Sequence, residues 1–242
     1  GFSIDMDEKY LVVGDPGLST IYVYDFPNLA DNQYNNNLDG KFTYMFDSEP
    51  LLPNLGYSCA ISKRPETDSY AVISGSPNTN DVLWWDDSFK NWYDDDEPNS
   101  NTTIYDYANE YNGSNNTDIQ AGSDVDIQWK DNDEYFFVTG APNKNVFSVN
   151  EPINDAGEIL VSYCNKTYNS IVQYSYLSQD ISSNFYYGSN VAIDNECKYL
   201  FVSSPGAIRG NDENNEPISQ SNGMIEAYLL DINEEGDFDI SY

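Results

Sequence analysis

Four times along this chain a glycine-led alternating segment is followed by a tyrosine-led apolar run that stops at Gly/Ser-x-Pro. The first two copies are Gly1-Phe2-Ser3-Ile4-Asp5-Met6 with Tyr10 to Pro16, and Gly56-Tyr57-Ser58-Cys59-Ala60-Ile61 with Tyr70 to Pro77. The others are Gly122-Ser123-Asp124-Val125-Asp126-Ile127 with Tyr135 to Pro142, and Gly188-Ser189-Asn190-Val191-Ala192-Ile193 with Tyr199 to Pro205. The opening glycines lie 55, 66 and 66 residues apart (56 − 1, 122 − 56, 188 − 122). A period of this size points to modules that each hide an apolar face against their neighbours. The units are taken as approximately 1–55, 56–121, 122–187 and 188–242 of one domain.

The first segment of each unit alternates, with Ile4/Met6, Cys59/Ile61, Val125/Ile127 and Val191/Ile193 on one face. The Tyr-led runs, Tyr10–Val13, Tyr70–Ile73, Tyr135–Val138 and Tyr199–Val202, are continuous, which suits strands covered from both sides. Proline then ends the strand, because it cannot donate to a ladder. A third strand is expected at Ile21–Tyr24, Val82–Trp85, Ile159–Tyr163 and Met224–Tyr228. A fourth is expected at Phe42–Phe46, Thr103–Tyr107, Ile171–Tyr174 and Phe238–Tyr242. No segment holds a helical period. Four strands per unit, radially repeated, describe the blade of an all-β propeller.

The phrases Gly56-Tyr-Ser-Cys-Ala-Ile-Ser62, Val138-Thr-Gly-Ala-Pro142 and Tyr187-Gly-Ser-Asn-Val-Ala-Ile193 resemble FG-GAP repeats, the units of the integrin α-subunit propeller. The resemblance runs through all four units. It implies a β-propeller, and because such propellers usually have seven blades, it favours a part of a larger ring over a closed ring of four. The family's calcium loops lie between first and second strands. Here those hairpins, such as Asp5 to Glu8 and Asp194 to Glu196, are too short for that spacing.

One stretch elsewhere does fit. Asp231, Asn233, Glu235 and Asp239 stand at positions 1, 3, 5 and 9 with Gly236 at 6, and oxygen donors so spaced around a glycine suit Ca²⁺. Calcium is therefore the one cofactor expected, in the hairpin joining the last two strands. The run Asp94 to Glu97 lacks the glycine and reads as a solvated loop.

With 41 acidic against 10 basic residues and a net charge of −31, nucleic acid and anionic membrane surfaces are poor partners. No apolar stretch approaches the ~20 residues of a membrane span. Histidine is absent, which removes His-based triads and His metal sites. Ser76 and Ser204 thus have no such base. Carboxylate pairs are plentiful, but none is marked out as desolvated, and acidic surface is the cheaper explanation. The chain is expected not to be an enzyme.

Sequons occur at Asn101, Asn112, Asn115 and Asn165, three of them in an Asn/Ser/Thr-rich loop, which suggests an N-glycosylated, secreted protein. Opening on Gly1 inside a repeat, the chain is read as a mature or excised piece of something longer. Cys59 takes an inward slot held elsewhere by Ile4, Val125 and Val191, and is expected as a buried thiol. Cys164, ending a third strand, and Cys197, in a first hairpin, are expected to form a disulfide between neighbouring blades. Trp84 and Trp85 are expected to pack between blades, whereas Trp92 and Tyr93 sit in a loop suited to contacts.

The leading expectation is a non-catalytic extracellular or cell-surface glycoprotein module, structural or adhesive, in a surface, matrix or filament assembly. Its partners would be further copies of itself or the remainder of a longer chain, with N-linked glycans attached. The alternatives are an integrin-like ligand-binding receptor with structural calcium, and a propeller accessory to an enzyme lying outside this chain.

Overall fold

The computed structural model describes residues 1–8, 10–25, 41–47, 53–67, 69–85, 103–106, 119–147, 152–167, 170–179, 182–208, 223–232 and 238–241. These form four antiparallel four-stranded sheets and no helix. Blade 1 orders β1 (Ser3–Asp7), β2 (Tyr10–Asp15), β3 (Thr20–Asp25) and β4 (Lys41–Asp47) side by side. Blade 2 repeats this with β5 (Ser58–Lys63), β6 (Tyr70–Ser76), β7 (Asp81–Trp85) and β8 (Thr103–Asp106).

Blade 3 contains β9 (Val125–Trp129), β10 (Glu134–Ala141), β13 (Glu158–Asn165) and β14 (Ser170–Tyr176). Between its second and third strands a small ribbon is inserted, β11 (Val146–Phe147) against β12 (Pro152–Ile153), which the repeat pattern did not announce. Blade 4 is β15 (Val191–Ile193), β16 (Tyr199–Ser204), β17 (Met224–Ile232) and β18 (Phe238–Ser241). All sixteen expected strands are present, so the chain is an all-β array of propeller blades.

The period-2 alternation of a strand decides which neighbour each side chain meets. From β5, Cys59 and Ile61 join Val12, Ile21, Val23, Tyr70, Val72 and Leu83 in the core between blades 1 and 2. Ile73, Val82 and Trp84 point the other way, meeting Val125, Ile127, Trp129 and Phe137 between blades 2 and 3. Phe136, Val138, Ile159 and Val161 meet Val191, Ile193, Leu200 and Val202 between blades 3 and 4. Each such side chain contributes about 1.5–3 kcal/mol by leaving water.

The Tyr-led runs of β6 and β10 are buried throughout from Tyr70 to Ser76 and from Tyr135 to Ala141. Those of β2 and β16 alternate instead, because blades 1 and 4 each have one sheet face that no described residue covers.

Blade spacing is set by glycine pairs. Gly14, Gly75 and Gly140 on the second strands lie against Gly56, Gly122 and Gly188 that open the next blade. A Cβ on any of the first three would collide with the carbonyl oxygen of its partner. The opening glycines also sit at φ of +88°, +86° and +85°, where a side chain is strained.

Candidate functional site

The first strands of the four blades converge, and their side chains lace one blade to the next. Ser3 Oγ donates to the Gly56 carbonyl at 2.9 Å, while Asp5 and Asp7 accept the amides of Ile61 and Lys63 at 2.8 and 2.5 Å. Ser58 Oγ donates to the Gly122 carbonyl at 2.8 Å, and Ser62 Oγ accepts the Trp129 amide at 3.1 Å. Asp124 and Asp126 accept the amides of Val191 and Ile193 at 2.8 and 2.6 Å. An alternating Asp/Ser row thus satisfies the outward amides of the following inner strand, the groups an edge strand would otherwise leave unpaired.

These strands border an open cavity of about 530 Å³ lined by, among others, Asp5, Asp7, Lys63, Glu66, Asp126 and Asn195. Burial is the main force raising the carboxyl of Asp126 to about 7, against the amide hydrogen bonds from Ile193 and Ile127, and the charges of Asp5 and Asp124 add to it. Asp7 and Asp124 are also raised, chiefly by burial. Lys63 reaches Glu8 at 2.6 Å on the rim. A carboxyl that titrates near neutrality beside other carboxylates can both give and accept a proton.

Blades 2 and 3 are tied again outside the cavity. Arg64 donates from Nε to the Asn132 carbonyl, pairs with Asp133 at 3.2 Å and lies over the Trp129 ring at 5.4 Å. Between blades 3 and 4, buried Glu226 accepts from Ser178 and Tyr228, each at 3.1 Å, and Tyr187 donates to the Tyr228 hydroxyl at 2.8 Å. Both clusters hold blades together rather than opening onto the cavity.

The disulfide expectation is corrected. All three cysteines are buried thiols. Cys164 shares the parity of Leu160 on β13 and faces blade 2, whereas Cys197 lies in the core between blades 3 and 4, its Sγ donating to the Gln128 carbonyl at 3.3 Å. A sheet separates them. Cys59, in the inward slot expected of it, has its thiol pushed up by burial to about 11, and Cys197 to about 12.

Asn165 is also unlike an accessible sequon. It is 8% exposed, and its Nδ2, the atom a glycan would take, donates to Glu134 at 3.0 Å and Tyr163 at 3.2 Å. Asn101, Asn112 and Asn115 lie outside the described residues, as do Trp92, Tyr93 and the Asp94 to Glu97 run. Of the calcium set, Asn233 and Glu235 lie outside them too, while Asp231 and Asp239 are register partners across β17 and β18. Among the described residues no group of three His, Cys, Asp or Glu is placed to hold a metal, and no helix is long and apolar enough to cross a membrane.

No family model matches the chain, and no curated protein does. The FG-GAP and integrin resemblance therefore stays one of short motifs. Solved structures that resemble the chain include the two that follow. The Cellvibrio cellulosa α-L-arabinanase complexed with arabinohexaose is 11% identical with a TM-score of 0.39, covering 99% of this chain and 76% of that one. Kuenenia stuttgartiensis hydrazine synthase is 10% identical with a TM-score of 0.34, covering 99% and 65%. Both are named as enzymes, and the expectation that this chain is not an enzyme is withdrawn. Asp126 is a desolvated carboxyl in a cavity, which neither the absence of histidine nor the abundance of acidic residues marks in the sequence. At these scores no activity is carried over.

Proposed function

We propose that the chain is a structural, adhesive module of a cell surface, extracellular matrix or filament, working by joining the bare face of blade 1 to further β-sheet. One observation carries this. The outer face of blade 1 leaves Phe2, Ile4 and Met6 at 64, 69 and 55% exposure, and the counterparts of Ile4 and Met6 in blades 2 to 4 are core. Contiguous bare apolar surface of this kind marks an interaction site. The secreted setting is supported by the sequons at Asn101, Asn112 and Asn115.

Radical footprinting and glycopeptide mapping of the protein in its native setting test the proposal together. Met6 is expected to be shielded there and oxidised readily in the isolated chain, with sugar on at least one of the three asparagines. Equal oxidation in both settings, with bare asparagines, refutes it.

A second reading follows from Asp126. A carboxyl titrating near 7 within a 530 Å³ polar cavity suits acid–base chemistry on a small polar substrate. Turnover of such a substrate by the wild type and not by a folded Asp126→Asn variant would establish it. Equal turnover by both would remove it.

A further inference from the structure

We propose that the outer face of blade 1 docks one further β-blade of this repeat type, and that blade 4 ends the array. The incoming partner is defined by chemistry. It carries an alternating Asp/Ser row on its first strand and, on its second, a glycine placed as Gly14, Gly75 and Gly140 are. The proposal rests on the reading that the face of blade 1 joins further sheet.

The three junctions in the molecule are built from related parts. The preceding blade supplies acceptors from its first strand, and the following blade supplies outward amides, two of them two residues apart at the first and third junctions and that of Trp129 at the second, where the Ile127 amide bonds Asp126 instead. In blade 1 the register Ser3↔Gly14 matches Ser58↔Gly75. It follows that Ile4, Met6 and Glu8 hold the places of Cys59, Ile61 and Lys63, with amides directed away from β2. No described residue accepts those amides. The apolar side chains beside them, Phe2, Ile4 and Met6, are the exposed ones. Blade 1 thus carries the complete following half of a junction.

Blade 4 does not carry the matching half. Its register Val191↔Val202, together with the bond from the Ser203 amide to the Asn190 carbonyl, puts Ser203 where the other blades have Gly14, Gly75 and Gly140. Its Cβ occupies the space an incoming glycine carbonyl takes at the other junctions. Ser3, Ser58 and Asp124 reach forward to the next blade, but Asn190 is bonded back to Ser203, at 2.9 Å through its amide nitrogen and 3.3 Å through Oδ1. Exposed Ala192 stands where blades 1 and 3 carry the acceptors Asp5 and Asp126 and blade 2 carries Ala60, so it is Ser203 and the back-bonded Asn190 that set blade 4 apart. The outer face of blade 4 is still apolar, with Phe201 41% and Ile225 73% exposed. What it lacks is the fittings. A second native copy therefore does not satisfy blade 1.

The test gives blade 4 those fittings in the full chain, by Ser203→Gly with Ala192→Asp. Sedimentation velocity is expected to show head-to-tail association at least tenfold tighter than that of the wild type, and Ile4→Asp on blade 1 is expected to abolish it. A folded double variant that associates no more tightly than the wild type overturns the proposal. So does association that Ile4→Asp leaves unchanged. Should the double variant not fold, Ser203→Gly alone is read in the same way, with a gain of about threefold expected and no gain refuting. Shielding of Met6 in the native setting survives such a failure and would mean that the face joins an occupant of another kind.

Discussion

At the scale of single residues, steric and electrostatic roles separate cleanly. Gly140 has no room for a Cβ against Gly188, so Gly140→Ala forces blades 3 and 4 apart or distorts β10. Overpacking of this kind costs about 1–3 kcal/mol, which denaturant titration of the variant should show, whereas Ser203→Gly, at the equivalent place where no described blade packs, should cost well under that. Asp126 makes a pH-dependent contribution. Its carboxyl is raised from 3.8 to about 7 in the folded chain, so the native state binds the proton more tightly than the unfolded state does. The stability it contributes is thus greatest below about pH 4 and is lost as pH rises to about 7. Between those values, Asp126→Asn should flatten the decline in denaturation midpoint, and an unchanged slope would show that burial does not perturb this group. The cysteines offer a third check. With Cys59 and Cys197 buried and their thiols pushed up, alkylation of the native chain at pH 8 should be slow at both, and intact mass without reductant should show no bridge.

At the scale of the element, the strands were readable because their pattern is local. Alternation in Val125/Ile127 and Val191/Ile193 and the stop at Gly/Ser-x-Pro locate both inner strands of each blade without knowledge of what they touch. Pairing across blades was not readable in the same way. Cys164 and Cys197 lie on adjacent blades, yet one extra step in strand parity places a whole sheet between them. The β11–β12 ribbon was missed because two-residue strands carry no periodic signal. The lacing by Asp5, Asp7, Ser62, Asp124 and Asp126 was visible only as acidity and scattered hydroxyls, since the function of each depends on the amide it meets in the next unit. Of these, Ser62 is wholly buried and accepts the Trp129 amide. Ser62→Ala leaves that amide without a partner, a loss of about 1–3 kcal/mol. It should therefore lower the denaturation midpoint far more than deletion of one hydroxyl at the surface, and a change below about 0.5 kcal/mol would show that the lacing does not hold blades together.

At the scale of the whole molecule, repetition of sequence does not mean repetition of environment. Tyr70 and Tyr135 are nearly sealed, but their counterpart Tyr199 is 40% exposed, because no described residue covers that side of blade 4. In a repeat array, stability is the sum of what each unit holds by itself and what it shares with its neighbours. Among the described residues, blades 2 and 3 each share two junctions, and blades 1 and 4 one each. Opening free energies should therefore be highest at the centre and fall toward both ends. Hydrogen exchange followed by mass spectrometry is expected to find β6, β10 and β13 slowest, with β2 and β16 faster although they share the Tyr-led pattern of β6 and β10. The Glu226–Tyr228–Tyr187 network works against fraying of blade 4, so the blade 1 end should open first. If all four inner strands exchanged at one rate, the chain would be a single cooperative unit, and the bare face of blade 1 would then be stabilised by something other than its one junction. Partial protection confined to Ile4, Met6 and Glu8 at high protein concentration would instead show that their outward amides had found a sheet to join.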